Sequence, residues 1–170
     1  MNINTIIIDC DGVLNDGKQP HRIEPGMYEL RNTTGGTVVV QDRILQKAFK
    51  TFHSRDKTAI RWMAEEGFRV IIVSADDSEI TKAWALSCGA EFIHERVKTL
   101  EGYGIDWERA AGIGDDIIDL PFLEKCKHAF CPADAHSVLL ENHSIIHMRT
   151  MGGCGVIAEM SNIVQNYINV

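Results

Sequence analysis

The stretch Ile6-Ile7-Ile8-Asp9-Cys10-Asp11-Gly12-Val13-Leu14 constrains this chain more than any other. Three β-branched residues lead straight into two carboxylates and a glycine. A run this apolar reads as a strand buried on both faces, as in the middle of a parallel sheet. Asp-Gly then allows a sharp turn. The two acids therefore stand at the carboxyl end of a buried strand, where open α/β sheets place their ligands. Residues i and i+2 of a strand point to one side, so Asp9 and Asp11 can face one site. Two close carboxylates repel, and a cation between them relieves the repulsion. The competing reading is two solvated acids in a turn, and the rest of the chain decides between them.

Residues 15 to 42 change character. Gly17, Pro20, Pro25, Gly26, Gly35 and Gly36 break the segment, with short strand-like pieces at Met27 to Arg31 and Thr37 to Gln41. Thr34-Gly35-Gly36-Thr37 reads as a hairpin turn. This is a small β insertion after the acidic strand, able to act as a lid, a subunit contact or a surface loop. His21 and Arg22 could reach a substrate from it. Beyond it, Asp56 is placed to cap a helix running to Glu66 with Gly67 as its stop. Arg69 to Ser74 reads as a second buried strand ending in a hydroxyl. A helix follows from Ser78 to Cys88, then a short strand at Glu91 to Ile93. Lys98 is expected to begin a short helical piece ending near Gly102. Ala110 to Ile113 is a fourth strand that ends in Gly114-Asp115-Asp116, and Pro121 can start a helix. Ala129 to Cys131 and Ser144 to Met148 are further candidate strands. Gly152-Gly153-Cys154-Gly155 leads into a last helix up to Tyr167, with Ile157, Met160, Ile163 and Val164 on its apolar face.

Strands alternating with helices predict an α/β fold, a Rossmann-like parallel sheet with helices on both faces. Right-handed crossovers put every strand's carboxyl end on one edge. Asp9, Asp11, Ser74, Asp115 and Asp116 each follow an apolar strand and would converge there. The length suits one domain over residues 1–170, with the β-rich insertion at 18–50.

Composition narrows the chemistry. The net charge is -7 with no basic block, which advertises no nucleic-acid surface. A protein this negative must attract anions locally, through a metal or a few placed cations. Five cysteines occur without a Cys-x-x-Cys pair, and no signal peptide is evident. Reduced thiols in a cytoplasmic setting are the expectation. Cys126, His128, Cys131 and His136 cluster, but their spacing fits no common zinc pattern. No apolar stretch nears the ~18 residues of a membrane span, so no membrane partner is expected.

Several carboxylates around one point, without histidine or cysteine, favour Mg²⁺, which takes a few carboxylates, waters and a phosphate oxygen. Ser74 offers a hydroxyl and Lys98 a mobile point charge. Metal, hydroxyl and ammonium together make a phosphoryl pocket. Asp9 is then a candidate nucleophile that would form an aspartyl phosphate. Asp11 can protonate the leaving oxygen and later deprotonate the attacking water.

Asp9-Cys10-Asp11-Gly12-Val13-Leu14, Ser74, Lys98 and Gly114-Asp115-Asp116-Ile117-Ile118-Asp119 resemble the four ordered motifs of the haloacid dehalogenase (HAD) superfamily. Within it the chain is similar to the small capless group typified by 3-deoxy-D-manno-octulosonate 8-phosphate (KDO 8-phosphate) phosphatase. Phe52, Arg55, Asp56 and Ile60 resemble that group's Phe-x-x-Arg-Asp segment. Ala133-Asp134-Ala135-His136, Arg149 and the glycines 152, 153 and 155 resemble its last third. The resemblance implies a HAD-like hydrolase fold and Mg²⁺-dependent phosphomonoesterase activity. Asp9 would be nucleophile and metal ligand, and Asp11 the acid/base with its backbone carbonyl on the metal. Asp115 would complete the ligands, with Asp116 and Asp119 in support. Ser74 and Lys98 would hold the phosphate. A homo-oligomer, commonly a tetramer, is also implied.

The chain departs from the group in places. Ser74-Ala75-Asp76 stands where the group usually has Thr-Gly-Arg, and Cys154 where it often has arginine. Both lost arginines are cationic positions suited to a sugar-acid substrate. Arg22, Arg31 and Arg43 in the longer insertion are the candidates to replace them. A nucleotide or another sugar phosphate is the alternative substrate. A catalytically weak binding or oligomeric subunit is the alternative class.

Overall fold

The computed structural model describes residues 3–17, 28–31, 37–41, 44–47 and 50–168. Strand β1 (Thr5–Asp9) opens the chain, and its five residues are all buried. Three short strands follow: β2 (Tyr28–Arg31), β3 (Thr37–Gln41) and β4 (Ile44–Lys47). They form a separate antiparallel sheet in the order β2-β3-β4, with Arg31 opposite Thr37 and Gln41 opposite Ile44. The two expected strands of the insertion are present, and β4 is an addition the sequence reading did not include. The expected turn at 34–37 lies mostly outside the described residues, as do His21, Arg22 and Arg43.

The remaining elements alternate. Helix α1 (Ser54–Glu65) leads to β5 (Arg69–Ser74), α2 (Glu79–Ser87) and β6 (Glu91–His94). Strand β7 (Ala110–Ile113) is followed by α3 (Leu120–Leu123) and β8 (His128–Cys131). Then come α4 (Ser137–Leu140), β9 (Ile145–His147) and α5 (Val156–Ile168). The main sheet has six strands in the order β6-β5-β1-β7-β8-β9, every neighbouring pair parallel. This is the expected α/β architecture, with β1 in the interior of the sheet.

Alternation along the strands builds two cores. Ile6 and Ile8 of β1, with Val70 and Ile72 of β5, face a core shared with Ile60 and Met63 of α1 and Met160 and Val164 of α5. Ile7, Ile71 and Val73 face the opposite core, with Phe122 and Leu123 of α3 and Leu139 of α4. Helices therefore cover both faces, the three layers the alternation predicted. Each fully buried isoleucine of β1 contributes roughly 1.5–3 kcal/mol of transfer free energy. The expected apolar face of the last helix is confirmed: Ile157, Met160 and Val164 are buried, and Ile163 packs against them. Helix α4 was not anticipated; four residues are too few to show a helical period.

Two details differ from the sequence reading. Helix α1 begins at Ser54, with His53 as its N-cap; the His53 Nδ1 accepts the Arg55 N–H at 3.2 Å. Asp56, expected to cap α1, instead sits inside that helix, fully buried, and its Oδ1 accepts the Ala158 N–H of α5 at 3.1 Å. It thus caps a different helix across the core. No helix among the described residues is long and apolar enough to cross a membrane, and all five cysteines are free thiols.

Asp56→Ala removes this cap and leaves donors of α5 unpaired beneath α1. It is expected to cost about 2 kcal/mol, measured as a lower urea midpoint with an unchanged m-value.

Candidate active site

The carboxyl edge of the sheet carries two clusters of ion pairs. The inner one is built on Asp9, the last residue of β1, which is 3% exposed because the isoleucine run before it pins the strand into the core. Lys98 reaches it from the connection between β6 and β7. The helix expected to start at Lys98 is absent: residues 95–104 are irregular. The Glu95 carboxylate accepts the Thr99 hydroxyl at 2.9 Å and the Leu100 N–H at 3.0 Å, which pins the loop. Leu100 takes a φ of 53° and buries its side chain in the core, so the loop is plugged in place and Lys98 turns inward. The Lys98 ammonium donates to Asp9 Oδ1, and to Asp119 Oδ1 at 2.6 Å.

Asp119 closes the single 3-10 turn Ile117–Asp119 that follows β7. Its Oδ2 accepts the N–H groups of Asp115 at 2.9 Å and Asp116 at 3.1 Å. One oxygen therefore shapes the turn while the other holds the lysine. Asp116 caps the same turn through the Ile117 N–H at 2.6 Å. Asp115 lies against Gly12, whose φ is +96°; a Cβ there would overlap the Asp115 carboxylate. The glycine of Asp-x-Asp-Gly is thus required both by its backbone and by the carboxylate laid across it.

Oxygens of Asp9, Asp115 and Asp119 lie within 4.8 Å of one another. Asp115 Oδ1 is buried with no hydrogen-bond partner among the described residues. Both Asp119 oxygens are engaged, but the orphaned Asp115 oxygen and the Asp9 carboxylate beside it make a hard donor pair of the kind that fits a small divalent cation. Burial, and then the nearby charge of Asp119, push the Asp9 carboxyl well above the usual range, while Lys98 pulls it down. The same causes, burial and then Asp119, raise Asp115 from 3.8 to about 6. Burial opposes the charge of Lys98, but Asp9 and Asp119 outweigh it and raise its pKa.

The outer cluster is built on Asp11. Its Oδ1 accepts from Asn15 Nδ2 and from Lys50 Nζ, each at 2.8 Å, and its Oδ2 accepts from Lys50 at 3.1 Å. The Ser74 hydroxyl lies 3.4 Å from Asp11 Oδ2 and accepts the Asp76 N–H at 3.0 Å. Lys50 also pairs with Asp76 Oδ2 at 3.0 Å.

Asp9, Asp11, Ser74, Lys98, Asp115, Asp116 and Asp119 thus come to one edge. The third side chain of the acidic cluster is Asp119. Lys50 and Asn15 draw the Asp11 carboxylate aside; the resemblance had implied its backbone carbonyl as the donor. Lys50 was missed altogether. Its place two residues before Phe52, at the end of the insertion, is a weak signal. Phe52 stacks on Trp84 with centroids 4.3 Å apart and rings 15° from parallel, which anchors the segment that delivers Lys50.

No family model matches the chain. It is 29% identical to the 3-deoxy-D-manno-octulosonate 8-phosphate phosphatase of Haemophilus influenzae, over 96% of this chain and 83% of that one. It is 26% identical to the Escherichia coli K12 enzyme of the same name, over 96% and 79%. A cobalt-bound structure of the Haemophilus influenzae phosphatase superposes with a TM-score of 0.75 at 28% identity, covering 97% and 88% of the two chains. A Moraxella catarrhalis phosphatase of the same name, solved with magnesium, phosphate and KDO, shares the fold with a TM-score of 0.72 at 19% identity, over 96% and 86%. In fold, in the order of its site residues and in its relatives, the chain is similar to haloacid dehalogenase-like phosphatases, which are phosphoric monoester hydrolases. Within that superfamily the chain resembles the 3-deoxy-D-manno-octulosonate 8-phosphate phosphatases.

Two outcomes follow from the inner cluster. Asp115 holds its proton up to about pH 6 in the fold but releases it near 3.8 when unfolded. The native state therefore binds more protons between these values, and the contribution of Asp115 to stability is lost as pH rises through that window. In EDTA, the stability difference between wild type and Asp115→Asn should shift against wild type from pH 4 to pH 6.5 and then level off. Lys98→Ala leaves Asp9 and Asp119 buried without their cation and should cost about 3 kcal/mol by urea denaturation.

Proposed function

We propose that this protein is a Mg²⁺-dependent phosphomonoesterase that cleaves a small phosphorylated metabolite through an aspartyl phosphate on Asp9. The observation that carries the reading is the pairing of a buried carboxylate, Asp9, with a second and more open one, Asp11, across the same strand end. The side chain of Asp11 is 38% exposed and that of Asp9 is 4%. One acid is shielded as a nucleophile should be, and the other is open to a leaving group and to water.

Asp9 and Asp115, with the Asp11 backbone carbonyl, would hold the cation, and Asp119 would stand close behind. The cobalt-bound relative supports a divalent ion there, and the oxygen-only donor set favours magnesium. Bound there, the ion would neutralise charge on the phosphoryl group and keep Asp9 ionised.

The chain's own groups account for the rest. Lys98 has three protons and spends two on Asp9 and Asp119; the third remains for a phosphate oxygen. The Ser74 hydroxyl supplies a second contact. An Asp9 oxygen attacks phosphorus, the ester P–O bond breaks, and Asp11 gives its proton to the departing oxygen. Water then attacks the aspartyl phosphate and passes a proton to Asp11. The Asp9–phosphorus bond breaks and inorganic phosphate leaves. Asn15 and Lys50 fix the orientation of the Asp11 carboxylate throughout.

The substrate read from the relatives is a phosphorylated sugar. A homo-oligomer, by resemblance a tetramer, and a cytoplasmic location complete the proposal.

The test is phosphate release from a panel of phosphomonoesters, with Mg²⁺ and with EDTA. Asp9→Asn should lose activity by at least about 10³-fold while keeping its fold, as removal of a nucleophile does elsewhere. EDTA should abolish release and Mg²⁺ restore it. Unchanged turnover in Asp9→Asn would exclude the covalent route.

A further inference from the structure

The outer cluster bears on which phosphoester fits, an inference that rests on the phosphatase reading above. Asp76 lies two residues beyond Ser74 at the end of β5, and its own N–H donates to the Ser74 hydroxyl at 3.0 Å. Its side chain is 5% exposed, so it sits beneath the site rather than on its surface. Above it is Lys50, whose side chain is 16% exposed and whose ammonium bonds both Asp76 at 3.0 Å and Asp11 at 2.8 Å. Lys50 is therefore spent between two carboxylates. Burial opposes its charge, but the charge of Asp11, with the hydrogen bonds to Asp11 and Asp76, outweighs that.

The electrostatic consequence extends across the edge of the sheet. Among the described residues, Asp9, Asp11, Asp76, Asp115 and Asp119 are held around the ammonium groups of Lys50 and Lys98. A divalent cation and a phosphate dianion bring equal and opposite charge, so these groups stay net negative when loaded. A further anion on the departing fragment approaches the open Asp11 carboxylate, with Asp76 buried behind it and Lys50 held between the two. A hydroxyl, by contrast, brings no charge to the open Asp11 carboxylate and can take the place of the long 3.4 Å Ser74 contact on its Oδ2.

We propose that Asp76 is a specificity-determining residue. By gripping Lys50 against Asp11, it selects phosphomonoesters with an uncharged, hydroxylated leaving group and disfavours those bearing a carboxylate. It acts through Lys50 and is a positioning residue, not a catalytic one.

The experiment uses two probes that differ only at the far end of the chain: D-glucitol 6-phosphate and 6-phospho-D-gluconate. Each competes with 4-nitrophenyl phosphate in the presence of Mg²⁺. The polyol phosphate should inhibit at a concentration about tenfold lower than the acid, the effect of one like charge several ångströms away in a half-wet site. Asp76→Asn should narrow that ratio towards one, and Lys50→Met should widen it. Each ratio is taken within one preparation, so a loss of folded protein cancels. Equal or stronger inhibition by the acid, or a ratio that Asp76→Asn leaves unchanged, overturns the inference. The first of these would direct attention to Arg22, Arg31 or Arg43 as the missing cations. Absence of phosphate release from the reporter and from both sugar phosphates overturns the phosphatase reading itself, and the inference falls with it.

Discussion

A lysine ammonium buried between Asp9 and Asp119 joins three separate pieces of chain at the carboxyl edge of the sheet. Those pieces are the end of β1, the loop after β6 and the turn after β7. Burying a carboxylate such as Asp9 costs several kcal/mol unless a partner compensates it. Lys98 is that partner, and it is itself held by a loop plugged into the core by Leu100. The same contact leaves Asp115 beside Asp9 and Asp119 with an oxygen that has no hydrogen-bond partner among the described residues.

The outer cluster is open where the inner one is closed. Asp11 faces solvent, steadied by Asn15 and Lys50, while Asp76 holds Lys50 from below. The separation places the shielded acid and the accessible acid two residues apart in sequence but in different electrostatic surroundings. Acid/base assignments in enzymes depend on such differences between neighbouring carboxylates.

The end of the chain supports this arrangement from behind. Gly153 N–H donates to the Val13 carbonyl at 2.8 Å, and Gly152 N–H donates to Asp134 at 2.8 Å. Asp56 fastens the start of α5 to α1. The loop after Asp9 is thus braced by segments more than a hundred residues away, which explains why a short Asp-x-Asp-Gly turn can hold two charged groups in place.

The sequence alone determined the sheet and the edge at which its acids gather. Ile6 to Ile8 and Arg69 to Ser74 are apolar runs whose burial on both faces follows from local composition, and the acids after them follow from where such strands end. It also determined the order of Asp9, Ser74, Lys98 and Asp115 along the chain, which the resemblance to the HAD motifs turned into roles. What it left open was every property that depends on the partner of a side chain. Asp56 reads as a local cap, yet it caps a helix a hundred residues on, because a carboxylate buried in α1 takes whichever donor the packing brings. Asp119 reads as support, yet it joins the acidic cluster, because one oxygen is needed for the turn and the other is free for Lys98. Lys50 carries no local signal at all; only the tertiary structure, by stacking Phe52 on Trp84, brings it onto Asp11 and Asp76. Strand formation is a short-range property of the chain, whereas pairing of charges depends on distances that exist only after the sheet has closed.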